Sequence, residues 1–107
     1  MIVKTKKGDL PVRYGWNALA KFGDLAGLSM DEILELDIRR MTMSNMLNFI
    51  YVGFAEGARK EGVDCQVASA EEVGDMLDDE PGLAEKVFNA FAEMSKLEDV
   101  KTDSKKK

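Results

Sequence analysis

A chain of 107 residues with 45% apolar side chains has room for one domain with a single modest core, and its ordinary composition excludes wholesale disorder. Twenty acids against 15 bases leave a net charge of −5, which excludes a general binder of phosphate backbones, because such a protein concentrates base on one face. Cys65, the one cysteine, excludes an internal disulfide and suits a reducing cytoplasm. No apolar run approaches the roughly 20 residues that cross a bilayer, and the lysines of Met1–Asp9 follow its apolar residues, unlike a signal peptide. A soluble, acidic, intracellular domain is the expectation.

In chain order, Ile2-Val3-Lys4-Thr5 and Leu10-Pro11-Val12-Arg13-Tyr14 are β-prone runs around Lys7-Gly8-Asp9. Gly8 readily takes positive φ, so the pattern predicts a β-hairpin over residues 1–14, with Pro11 holding its strand at an edge. An isolated hairpin is marginal in water and must lean on the helices or on another chain. Asn17 then caps or opens a helix in which Leu19, Phe22 and Leu25 or Ala26 share a face, and Gly27 ends it.

Ser29 and Glu32 form an S-x-x-E capping box, opening a helix to about Asp37 that buries Ile33, Leu36 and Leu34. A long third helix carries Met43, Met46, Leu47, Ile50, Tyr51, Phe54 and Ala58 at intervals of three and four, one broad apolar stripe ending at Gly62. Ser69 with Glu72 repeats the capping-box spacing, followed by Val73, Met76 and Leu77. Pro81 stands at the first turn of a last helix that turns Leu83, Val87, Phe88, Phe91 and Met94 inward. The fold class is therefore mainly α: one small domain of about five helices over residues 1–97 with an N-terminal hairpin, then a flexible charged tail over 98–107.

Catalytic chemistry finds little support. There is no histidine, the commonest acid–base group and metal ligand. Cys65 has no His partner and reads as a bystander thiol. Asp78-Asp79-Glu80 and Asp31-Glu32-Glu35 are the carboxylate clusters to weigh for metal or acid work, but the first closes one helix and precedes Pro81 of the next, and Asp31 and Glu32 occupy a first turn, so complementing a helix dipole explains both more simply. No P-loop or comparable glycine-rich turn is present. No catalytic residue, metal site or cofactor is expected, and the protein reads as a non-enzyme.

Surfaces remain. Seven methionines are many for this length, and Met41, Met43 and Met46 gather at the start of the third helix. Methionine suits a surface that must adapt to a partner, and it also fills core gaps. Phe49 and Val52 fall off the main stripe, and Gly53 and Gly57, one turn apart, would let a neighbouring backbone come close. Either the third helix is central and buried nearly all round, or Phe49, Val52 and Gly53, with Met41 and Met43, form a partner-binding patch. Arg39, Arg40, Arg59 and Lys60 are expected in solvent.

The order of these features carries a resemblance. Tyr14-Gly15-Trp16-Asn17-Ala18-Leu19 runs into Leu25-Ala26-Gly27-Leu28-Ser29, and Tyr51-Val52-Gly53-Phe54 precedes Glu56-Gly57-Ala58-Arg59. Over about residues 1–95 this resembles the small tail assembly chaperones of long-tailed bacteriophages. The resemblance implies binding to the apolar, helical tape measure protein, recruitment of tail tube subunits, action in the host cytoplasm and absence from the finished virion. Self-association also fits, whereas nucleic acid and membrane partners do not. By the same resemblance, Ser104-Lys105-Lys106-Lys107 is where a −1 frameshift signal would extend the chain, against the plainer reading of a solubilising tail or a cloning remnant.

The alternative is a small helical adaptor or transcriptional regulator, such as a helix-turn-helix protein or its inhibitor, with Gly27-Leu28-Ser29 as the turn. A reading helix needs groups for bases and phosphates, yet Met30-Asp31-Glu32-Ile33-Leu34-Glu35 offers three acids and no base.

Overall fold

The computed structural model describes residues 1–37 and 40–93. Among these, β1 (Ile2–Thr5) and β2 (Gly8–Pro11) precede α1 (Trp16–Ala26), α2 (Met30–Leu34), α3 (Met43–Glu61), α4 (Ala70–Asp79) and α5, whose described part is residues 83–93. The mainly helical architecture with an N-terminal hairpin is the one expected. Met94 and the charged tail over 98–107 lie outside the described residues, as does Arg39.

β1 and β2 pair antiparallel, with Ile2 opposite Pro11 and Thr5 opposite Gly8. Lys6 and Lys7 make the turn, and Gly8 leaves it at φ 112°, a conformation that a side chain would strain. The Thr5 hydroxyl fastens the turn, accepting from Lys7 N–H at 3.0 Å and donating to Gly8 O at 2.8 Å. The second strand stops at Pro11, short of the expected Tyr14. Val12 N–H still reaches Met1 O at 2.7 Å, but Arg13 N–H donates to Gly53 O in α3 at 3.0 Å, so α3 draws the chain out of the sheet.

α1 begins at Trp16 behind Gly15, which offers no side-chain cap, so Asn17 is not the opening residue. Its inward face is Ala18, Phe22 and Gly23 with Ala26 partly covered, while Leu25 is exposed. Gly27 ends the helix in the left-handed conformation, as expected. Both halves of the Ser29–Glu32 capping box form, at 3.2 and 2.9 Å. α2 nevertheless stops at Leu34 rather than near Asp37. With so short a helix lying on α1, Ile33 and, beyond its end, Leu36 turn toward the core and Leu34 stays in solvent.

α3 is the central element, with α1, α4 and β2 packed around it. Thr42 caps it through Asn45 N–H, and Gly62 closes it at φ 72°. Its interior positions begin at Phe49 and run through Ala58, so Met43, on the first turn, lies beyond the core rather than on the stripe. α4 has half the expected box: Ser69 Oγ accepts from Glu72 N–H, but the Glu72 carboxylate accepts from Ala68 N–H at 2.6 Å. Leu83, Val87 and Ala90 are the buried positions of α5, with Phe88 and Phe91 partly covered, and Pro81 lies in the turn just before that helix.

The hairpin leans on its own chain. Lys7 Nζ bonds Glu72 in the first turn of α4 at 2.6 Å, and Lys6 Nζ bonds Asp79 O in the last turn at 2.7 Å. Glu80 then accepts from Lys6 N–H and Lys86 Nζ, so hairpin, α4 and α5 meet at one carboxylate. The acids at the end of α4 therefore serve a contact across the fold as well as the dipole of the next helix.

Candidate functional site

Three of the five sequence-predicted partner residues lie inside the fold. The Phe49 ring is fully enclosed. It stacks on Tyr14 at 4.5 Å and meets Phe22 and Phe91 edge-on at 5.3 and 5.0 Å. Val52 is buried with it. Gly53 admits a close neighbour as its spacing suggests, and that neighbour is the chain's own Tyr14; Gly57 in the same way faces the Pro11 carbonyl. Of the two expectations for this face, burial in a central helix is the one realised, and an exposed patch at Phe49, Val52 and Gly53 is corrected. Met41 packs half-buried against the core, while Met43 stands 71% exposed. The five residues do not form one surface.

Two polar features qualify for weighing as sites. Glu56 is only 1% exposed although charged. Arg59 grips it with two nitrogens at 2.9–3.1 Å, and Lys21 Nζ reaches across from α1 at 2.5 Å. The hydrogen bonds from Arg59 lower the Glu56 pKa, burial opposes them, and Lys21 assists. A carboxylate held ionised and saturated with donors suits a strut between α1 and α3 better than proton transfer near neutrality. Arg59 is exposed, as expected, and anchors Glu56 from within α3, while Lys21 makes the link to α1. Cys65 is exposed and its thiol donates to Val67 O at 3.1 Å. Among the described residues, no cluster of three His, Cys, Asp or Glu side chains could hold a metal, and no helix is long and apolar enough to cross a membrane.

The surface that stands out is a groove between α1 and α2. Trp16 is 73% exposed, Met30 69% and Leu34 63%. With Leu19, Ala20, Leu28 and Ile33 they line an open cavity of about 230 Å³. Gly23 lets the floor pack closely: a β-carbon there would crowd Leu28 O at 3.3 Å and meet Ile33 at an ordinary 3.6 Å. Exposed apolar side chains gathered in one place make this groove the candidate for a protein-binding surface. Sequence reasoning missed it, although one signal was present. Trp16, Leu19, Ala20 and Gly23 follow i, i+3, i+4, i+7, a second stripe beside the Ala18–Phe22 face of the same short helix. A helix with two stripes needs two neighbours, and among the described residues α3 and α2 cover only part of it.

No protein family, curated protein or solved structure matches this chain.

Proposed function

We propose that this protein is a tail assembly chaperone of the long-tailed phage type, a non-enzymatic domain that holds apolar helices of the tape measure protein and helps bring tail tube subunits to it. The α1–α2 groove carries the proposal, because a solitary acidic domain gains nothing from exposing Trp16, Met30 and Leu34 together. The ordered run from Tyr14 to Ser29 and the Tyr51–Arg59 segment, each resembling that family, support the same reading, as does the hairpin-then-helices order. A net charge of −5 keeps such a carrier soluble while it covers a partner's apolar stripes. Its place of action would be the host cytoplasm during assembly, with no copy in the finished virion.

Co-expression tests the proposal. A long helical tape measure protein should be encoded beside this gene, should be soluble and co-purify with the wild-type chain, and should precipitate without it. Failure to co-purify and to rescue solubility would sink the proposal, and so would stoichiometric amounts of this chain in purified virions.

A further inference from the structure

We infer that the α1–α2 groove takes a single amphipathic helix of a partner protein, and that this helix carries lysine or arginine beside its apolar stripe. The inference rests on the protein-binding reading of the groove and adds the chemistry of the occupant. Charge is the first ground. Residues 22–37, which supply α2 and the end of α1, contain five acids and no base. Glu32 is spent on the capping box, but Asp24 is the acid of the groove lining, and Asp31 and Glu35 are exposed on α2 outside that lining. Lys21, the nearest preceding base, is engaged with Glu56. Arg13 and Lys60 stand near the Trp16 end, but acids alone flank the apolar floor on the α2 side, which disfavours nucleic acid and anionic membrane surfaces there and favours a basic flank.

The same rim argues against a second copy of this chain. A two-fold contact sets identical patches face to face, which would bring the acidic α2 side and Asp24 of one copy close to those of the other. Geometry favours a helix as occupant. The 11 residues of α1 extend about 16 Å, room for about three turns laid alongside. The apolar residues of the walls recur at helical spacing, suited to a partner's i, i+3, i+4, i+7 anchors.

Trp16 is the chain's only tryptophan, so its emission reports on the groove directly. The probes are two tryptophan-free synthetic peptides of three to four helical turns, with leucine at i, i+3, i+4 and i+7. One is flanked by lysine, the other by glutamate. The lysine peptide should shift Trp16 emission to the blue in a saturable way. Exposed ion pairs each change binding only a few-fold, so with three carboxylates the glutamate peptide should bind about tenfold more weakly. That gap should close in about 1 M salt, and the double variant Asp24→Lys, Glu35→Lys should invert it. Equal binding of both peptides, no emission change with either, or a blue shift of the protein alone that grows with its concentration would each overturn the inference. Leu34→Lys, which leaves the core untouched, separates the two proposals. If the tape measure protein co-purifies with that variant as with wild type, the groove assignment falls and the chaperone reading stands. If it never co-purifies while the lysine peptide still binds as expected, the reverse holds.

Discussion

Tyr14 occupies the space that a β-carbon on Gly53 would need: an ideal Cβ at that position would lie 2.4 Å from the Tyr14 ring and hydroxyl. Tyr14 cannot easily retreat, because its ring is stacked on Phe49 and its hydroxyl donates to Phe49 O at 2.7 Å. Gly53→Ala should therefore destabilise the domain by about 1–3 kcal/mol, the usual cost of overpacking. Gly57→Ala should cost at least as much, since its β-carbon would meet the Pro11 carbonyl, which is backbone, at 2.2 Å. Gly74→Ala is the internal control: its β-carbon finds Leu47 at an ordinary 3.6 Å, so relief of the helix-interior glycine should raise stability by up to about 1 kcal/mol. Urea denaturation of the three variants checks the order, and a Gly53→Ala protein as stable as wild type would contradict the notch.

Tyr14→Phe keeps the stack and loses only the hydroxyl. The expected loss is about 0.5–1.5 kcal/mol, the net worth of one hydrogen bond. Tyr14→Ala also empties the slot above Phe49 and should cost about 3–5 kcal/mol. Near-equal melting temperatures for the two variants would show that the ring contributes little.

Glu56 makes stability depend on acid pH with a defined sign. Arg59 chiefly, with help from Lys21, lowers its folded-state pKa against the opposing effect of burial. A carboxyl depressed on folding contributes fully above its unfolded value, about 4.3, and loses that contribution as pH falls through the folded value. Glu72 and Glu80, lowered mainly by Lys7 and Lys86, act in the same direction. Glu56→Gln should thus cost about 1–3 kcal/mol at neutral pH. The gap from wild type should be constant between about pH 6 and 8 and narrow below about 4.5. Chemical denaturation at both ends of that window measures it; a gap that widens on acidification would refute the pairing.

Phe49→Asp and Trp16→Ser should part company. The first sets a carboxylate without a charge partner among the Tyr14, Phe22 and Phe91 rings, a cost comparable with the ~5–15 kcal/mol that holds a domain together. The second removes an exposed ring from the rim of the groove and should change stability by no more than about 0.5 kcal/mol. Circular dichroism should show Phe49→Asp unfolded and Trp16→Ser native. A folded Phe49→Asp chain that had lost only its partner would restore the patch that the structure removes.

The local features of this protein could be read from residues a few positions apart. Gly8, Gly27 and Gly62 announce a turn and two helix ends because left-handed backbone favours glycine wherever it occurs. Ser29 with Glu32 and Ser69 near Glu72 mark helix starts because an orphan amide needs an acceptor within one turn. The Ile50–Phe54–Ala58 stripe shows one buried face of α3 by periodicity alone.

Periodicity could not say what covers the other face of α3. Phe49 and Val52 have the same sequence signature whether a second protein or the chain itself encloses them. That choice fell to Tyr14, 35 residues before Phe49, which reaches it because β2 packs on α3 and the adjacent Arg13 N–H donates to Gly53 O. The groove is the converse case. Leu34 and Trp16 belong to helices that look amphipathic, and they stay in solvent because α2 is too short to cover more than one side of α1. Propensity, capping and spacing act within a turn or two of chain and are written in the sequence; which apolar face is covered depends on how distant elements meet, and only the tertiary structure decides that.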